Sequence, residues 1–166
     1  MGDAEAMKEI KLTQGKVALV DDDMFDFLNQ WRWHYVKPKD SRTGYAARTV
    51  GPKYHTKMIY MHTLIMHTPS GMEVDHNDHN GCNNQRYNLR NCTSSQNKMN
   101  GILPRTNTSG YKGVSWDKRY HTWYAHIKIN GKNIFLGNFD NPRDAARAYN
   151  EKAIELFGEF AQLNDV

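Results

Sequence analysis

The sequence predicts an α+β chain of two small modules, and three observations carry that reading. The first is the block Asp75 to Asn97, D-H-N-D-H-N-G-C-N-N-Q-R-Y-N-L-R-N-C-T-S-S-Q-N, a polar Asn/Gly loop running into a strand pattern and a helix start. The second is a set of three short alternating segments between Tyr111 and Phe139, followed by a helical pattern from Pro142. The third lies between them: Met99 to Ser109, M-N-G-I-L-P-R-T-N-T-S, combines Gly, Pro, Asn and Thr without periodicity and reads as a linker. The expected layout is a first domain over residues 1–100, a linker over 101–108 and a second domain over 109–164.

Taken in order, residues 7–20 read as two short strands broken at Gln14-Gly15. Asp21, Asp22 and Asp23 suit the first turn of a helix, where carboxylates meet unpaired backbone N–H groups. Met24, Phe25, Phe27 and Leu28 give that helix a short apolar face. W-R-W-H-Y-V-K and G-Y-A-A-R-T-V are both strand-like, with Trp31, Trp33 and Tyr35 alternating against Arg32 and His34. K-M-I-Y-M-H-T-L-I-M-H reads as a strand passing into a short helix, which brings His62 and His67 toward the Asp75 block. Val74 to His76 and Tyr87 to Arg90 form a hairpin. A helix then starts near Thr93, with Gln96 as its capping-box partner.

In the second module Y-K-G-V-S-W, W-Y-A-H-I-K-I and K-N-I-F-L-G-N-F are strands, with Asn130-Gly131 turning the second into the third. Asn141 caps the closing helix, Pro142 takes its first position, and Gly158 ends it. Alternation puts Trp123, Ala125, Ile127, Ile129, Ile134 and Leu136 against that helix. Tyr124, His126, Lys128, Asn133 and Phe135 are left on the other face. Trp116 and Trp123 read as core.

Composition narrows the class. With 39% hydrophobic and 24% charged residues and no membrane-length apolar run, the chain is expected to be soluble. Its start, MGDAEAMKEI, is acidic and polar, unlike a secretory signal. Two cysteines, Cys82 and Cys92, are too few for a disulfide scaffold, so a cytoplasmic, reducing setting is expected. Their spacing does not favour zinc. Net charge is +4 with pI about 9.0, a mild pointer to polyanions. Its distribution says more. From His76 to Lys112 five Lys or Arg stand against one acid, and residues 111–133 again carry five against one.

The chemistry concentrates in the Asp75 block. A carboxylate, Asp75, and an amide oxygen, Asn97, are hard ligands suited to Mg²⁺ or Mn²⁺. His76, unligated beside such an ion, can act as a general base near neutral pH. Together they could hydrolyse a phosphodiester. The block resembles the HNH nuclease motif, in the subclass found in phage and intron-encoded homing endonucleases that has asparagine for the third histidine. D-H, the Asn/Gly loop, Asn83-Asn84, Asn88-Leu89-Arg90 and Thr93 through Asn97 carry the match. Gln85 stands where the family has arginine, with Arg86 one place later. The resemblance implies a ββα-metal fold over about 72–100, with His76 deprotonating water and Asn88 fixing the loop. Asp75 and Asn97 would hold one divalent ion, Arg86 and Arg90 would meet phosphates, and the products would carry 5′-phosphate and 3′-hydroxyl ends. An H-x-L-I segment packs beneath the hairpin in that family, which gives His62 a supporting role.

The second module resembles the AP2 DNA-reading domain, a three-stranded antiparallel sheet packed on one helix. The match rests on Tyr111-Lys112-Gly113-Val114, Trp123-Tyr124-Ala125, Leu136-Gly137-Asn138-Phe139, the A-A-R-A-Y-N of the helix and the closing G-E-F-A-Q-L-N. Lys112, His126, Lys128 and Asn133 stand where that family has DNA-facing arginines. Lysine makes the bidentate guanine contact less well, so readout leaning on phosphates is implied. Lys118, Arg119, Tyr124, Lys132 and Phe135 complete the expected duplex-facing set. The expectation is a monomeric, Mg²⁺-dependent homing-type endonuclease acting on double-stranded DNA. The rival is a DNA-binding regulator whose HNH unit no longer cuts.

Overall fold

A computed structural model describes residues 7–39, 41–101, 103, 106–129 and 131–166. It divides into two compact units, Met1–Thr93 and Ser94–Val166. Asn130 of the expected Asn-Gly turn, Asp40 of the polar turn K-P-K-D-S-R-T-G, and Ile102, Pro104 and Arg105 of the linker lie outside the described residues, as does the acidic start up to Ala6.

In the first unit, β1 (Met7–Lys11) and β2 (Val17–Asp21) pair antiparallel around a tight turn in which Gln14 and Gly15 both take positive φ. Helix α1 (Asp22–Asn29) follows directly, with Asp22 and Asp23 in its first turn. A three-stranded antiparallel sheet is ordered β3 (His34–Val36), β4 (Tyr45–Val50), β5 (Lys57–Tyr60), and β5 runs straight into α2 (Met61–Ile65). The hairpin β6 (Glu73–His76) and β7 (Leu89–Cys92) completes the unit, with Asp75 opposite Arg90 and His76 opposite Leu89. One core joins all these elements: Ile10, Val20, Leu28, Trp33, Ala46, Met61, Ile65, Val74 and Leu89 are buried together.

The strand expected from Trp31 begins only at His34. The buried Trp33 donates its indole N–H to the Leu28 carbonyl at the end of α1 (2.9 Å). Trp31 packs edge-on against Phe27, and the Arg48 guanidinium lies 3.9 Å from its ring centroid. Packing on the helix end, rather than alternation across a sheet, decides where these indoles sit.

The second unit opens with the short helix α3 (Ser94–Met99), which the sequence reading assigns to the first domain. Its sheet is ordered β10 (Lys132–Phe139), β9 (Thr122–Ile129), β8 (Val114–Asp117), all antiparallel, and α4 (Pro142–Phe157) packs on one face. The Asn141 side chain accepts the Asp144 N–H at 2.9 Å, Pro142 sits in the first turn, and Gly158 is the C-cap, as the sequence predicts. Ala125, Ile127, Ala145, Ala146, Tyr149, Ala153 and Phe157 are buried. Small residues on the helix let it lie close to the sheet. Gly113, at φ +73, is required where it stands: a Cβ there would collide with the Tyr149 ring and lie 2.6 Å from the His126 carbonyl oxygen. A bulge shifts the register of β10 between Phe135 and Gly137. Trp116, expected in the core, is 40% exposed, its ring edge-on to Trp123 at 5.1 Å.

Candidate active site

His76 ends β6 with its side chain buried (6% exposed), and Asp75 beside it is buried too (4%). Two rings from other elements pack against that imidazole, and a third backs one of them. His62 on α2 stands perpendicular to it at 5.0 Å, Tyr45 on β4 lies at 5.9 Å, and Tyr60 on β5 stacks on His62 at 5.3 Å. Burial lowers the pKa of His76, opposed by a side-chain hydrogen bond with Asn84 and by the carboxylates of Asp78 and Asp75. Burial, with His76 close by, pushes His62 down to about 3. Both imidazoles are therefore neutral at neutral pH, the form a proton acceptor needs.

The loop between β6 and β7 is organised by a network centred on Asn88. Its amide donates to Asp78 Oδ1 and to the Asn83 carbonyl, both at 2.9 Å. Its side-chain oxygen accepts the Asp78 N–H, and its own carbonyl accepts the Asn77 N–H, again at 2.9 Å. Asp78 also accepts from the Asn83 amide (2.8 Å) and the Asn80 N–H (2.8 Å). The far side of the loop is stitched to β2, where Leu19 N–H donates to the Cys82 carbonyl and Asn84 N–H to the Leu19 carbonyl, each at 2.8 Å. Asn-rich sequence thus has a structural use: each short amide side chain closes a turn that the backbone alone leaves open.

The flanking arginines are both paired with carboxylates, Arg90 part-buried and Arg86 exposed. Arg90 donates from Nε (2.8 Å) and Nη2 (2.6 Å) to Asp75 Oδ2 across the hairpin. Arg86 bridges the loop to the start of α1, with its Nε 3.0 Å from Asp21 and its Nη2 2.6 Å from Asp23. Asp21, expected to serve the helix N-terminus, instead accepts the Arg86 backbone N–H (3.0 Å) and makes no side-chain cap bond. His79, at the loop tip, takes φ +61, and His67 is exposed at φ +44. Burial raises the pKa of both thiols, Cys92 to about 11, so neither offers a thiolate.

Asn97 lies on α3, in the second unit. Among the described residues no three His, Cys, Asp or Glu side chains converge to hold a metal ion. The donors the sequence points to, one buried carboxylate and one amide, have the oxygen chemistry a Mg²⁺ or Mn²⁺ ion takes.

On the open face of the second unit, Lys128 pairs across strands with Asn133, and His126 with Phe135. Tyr124 lies 5.5 Å from His126, so these five side chains share one surface. Phe135 is 62% exposed, and Lys118, Arg119 and Lys132 are exposed at the adjoining turns and strand start. Lys112 departs from this set. Its ammonium donates to the Met99 and Gly101 carbonyls, both at 2.6 Å, and burial lowers its pKa to about 8. It fastens the end of α3 to the sheet instead of facing outward. Tyr45, Tyr60 and the side-chain roles of Asp78 and Asn84 were not singled out from the sequence. Only the crowding of Asn and Asp around the loop hinted at the last two.

A mimivirus protein of Acanthamoeba polyphaga, named as an uncharacterized HNH endonuclease (L560), is 32% identical over 92% of this chain and 77% of its own length. Protein 3.8 of Escherichia phage T7 is 35% identical over 57% of this chain and 78% of its own. Over 37% of the chain, rice APETALA2-like protein 2 is 43% identical, although the match spans only 14% of that protein. No family model matches the chain, and no solved structure is similar to it. With a ring-enclosed histidine beside a buried carboxylate, and likeness along almost its whole length, the chain belongs to the HNH endonuclease family. Part of it is AP2-like.

Proposed function

We propose that this chain is a metal-dependent, site-specific DNA endonuclease of the homing type, with the H-N-N form of the motif and the AP2-like domain (109–164) binding the target. One observation carries the reading: in a member of the HNH family, a buried neutral histidine sits beside a buried carboxylate at the base of an ordered asparagine loop. His76 takes the proton from the attacking water. Tyr45 and His62 fix its ring plane and keep bulk water from its inner side. Asn88 holds the loop that presents it. Asp75 and Asn97 would hold Mg²⁺ or Mn²⁺, which when bound supplies positive charge to the phosphate and the leaving 3′ oxygen. Arg90 steadies the Asp75 carboxylate from the opposite strand.

The open sheet face supports duplex binding: its exposed cations and aromatics lie together, and a two- or three-stranded ribbon fits the major groove. Relatives named as a transcription factor and as an element-binding protein match over 38% and 32% of the chain. A non-cutting regulator would leave the joint presence of Asp75, His76 and Asn97 without a physical reason. No described helix is long and apolar enough to cross a membrane. The test is to incubate the protein with its source genome and Mg²⁺ and map the ends. Discrete breaks bearing 5′-phosphate and 3′-hydroxyl support the proposal; intact DNA that the protein nevertheless binds supports the regulator.

A further inference from the structure

The 32 residues from Ser41 to Met72 contain four Lys or Arg and no Asp or Glu. Two of the four flank Tyr54: Lys53 in the segment joining β4 to β5, and Lys57 at the start of β5. Tyr54 is 84% exposed, the most exposed large apolar side chain among the described residues. The Lys53 ammonium lies 5.6 Å from its ring centroid, so cation and ring are presented together. Neither lysine forms an ion pair among the described residues.

This tip is built rather than slack. His55 N–H donates to the Pro52 carbonyl at 2.8 Å, closing a turn that begins with a proline. Gly51, at φ +106, lets the chain double back; a Cβ there would lie 2.5 Å from the His55 carbonyl oxygen. An ordered tip loses little freedom on binding. At the other end of the same hairpin, Tyr45 and Tyr60 frame His62, and Tyr45 reaches His76. From Tyr45 to Val50 the strand advances by roughly 17 Å, and the turn extends it further.

We propose that the β4–β5 hairpin is a DNA-contacting arm of the nuclease unit, with Lys53 and Lys57 on backbone phosphates and Tyr54 against the sugar edge. Duplex DNA suits this surface because evenly spaced phosphates complement an acid-free basic stretch. At about 3.4 Å per base pair, the arm meets the backbone about five to seven base pairs from the cut. That location rests on the nuclease reading; the contact with DNA does not.

The test uses the full chain, a random-sequence duplex and no divalent metal, with affinity followed across salt. For Lys53→Gln with Lys57→Gln, the slope of log K against log salt should fall by about 1.8, two phosphates at about 0.9 each. Between 50 and 200 mM salt, values the buffer sets, the variant then loses about 12-fold less affinity than the wild type. Tyr54→Ala should weaken binding several-fold and leave the slope unchanged. All three positions are exposed, so thermal melting should not move. An unchanged slope in the double variant overturns the arm even if the wild type cuts DNA. A reduced slope in a protein that never cuts keeps the arm and removes the nuclease reading.

Discussion

His62 and His76 are buried edge to face, and their shared environment gives stability a definite pH dependence. An imidazole whose folded pKa lies below its unfolded value of about 6.5 binds fewer protons when folded. Stability from His62 is therefore complete above that value and is lost as pH falls toward about 3. Thermal melts between pH 7 and 4, a window bracketing that unfolded value, should show the wild type weakening steadily with acid. His62→Phe keeps a ring against Tyr60 and removes the proton-binding group, so its melting temperature should fall less steeply. Equal slopes for the two proteins would mean that His62 is not buried as described. At this scale the hairpin carrying Asp75 and His76 and the loop closed by Asn88 were legible because their spacing is local. Arg86 was not, since its partners Asp21 and Asp23 lie 65 and 63 residues away and only the fold brings them together.

Alternation along β9 makes a prediction about an element: neighbours should fail in opposite ways. Ile127 is buried against Tyr149, Ala153 and Phe157, so Ile127→Ala should cost about 2–5 kcal/mol of stability. Chemical denaturation of that variant measures it. Lys128, one residue on, is exposed beside Asn133, and Lys128→Ala should leave stability within about 0.5 kcal/mol. Its effect should appear in DNA affinity, with a salt slope lower by about 0.9. The strands and helix of this half were legible because period-two alternation, the Asn141 cap and Gly158 agree with the packing they produce. Trp31 and Trp33 misled because an indole N–H that finds a helix-end carbonyl outweighs a strand pattern of three residues. Lys112 misled for a related reason, since a cation next to two free carbonyls is held there whatever its family position suggests.

For the whole molecule, the division falls at Thr93–Ser94, so the second unit begins earlier than composition indicates. Gly, Pro and Asn content marked residues after Met99 as linker, but it could not register that Met99 packs against the cluster of Ile127, Tyr149, Ala153 and Phe157 or that Lys112 holds Met99 and Gly101. A fragment spanning 94–166 should therefore melt at a higher temperature than one spanning 108–166, which loses both contacts and leaves the Lys112 ammonium without its acceptors. Equal melting temperatures would make α3 incidental to that unit. Both fragments should bind duplex DNA, because the outer sheet face is common to them.

In the proposed reaction His76 removes a proton from water at a DNA phosphate. The direct measurement is single-turnover cleavage of a mapped target in Mg²⁺ by wild type and His76→Ala, at protein concentrations giving equal DNA occupancy. Loss of a general base costs about 10² to 10⁴ in rate, so the variant should bind within a few-fold of wild type and cut slower by that factor. Cleavage by His76→Ala at the wild-type rate would contradict the account.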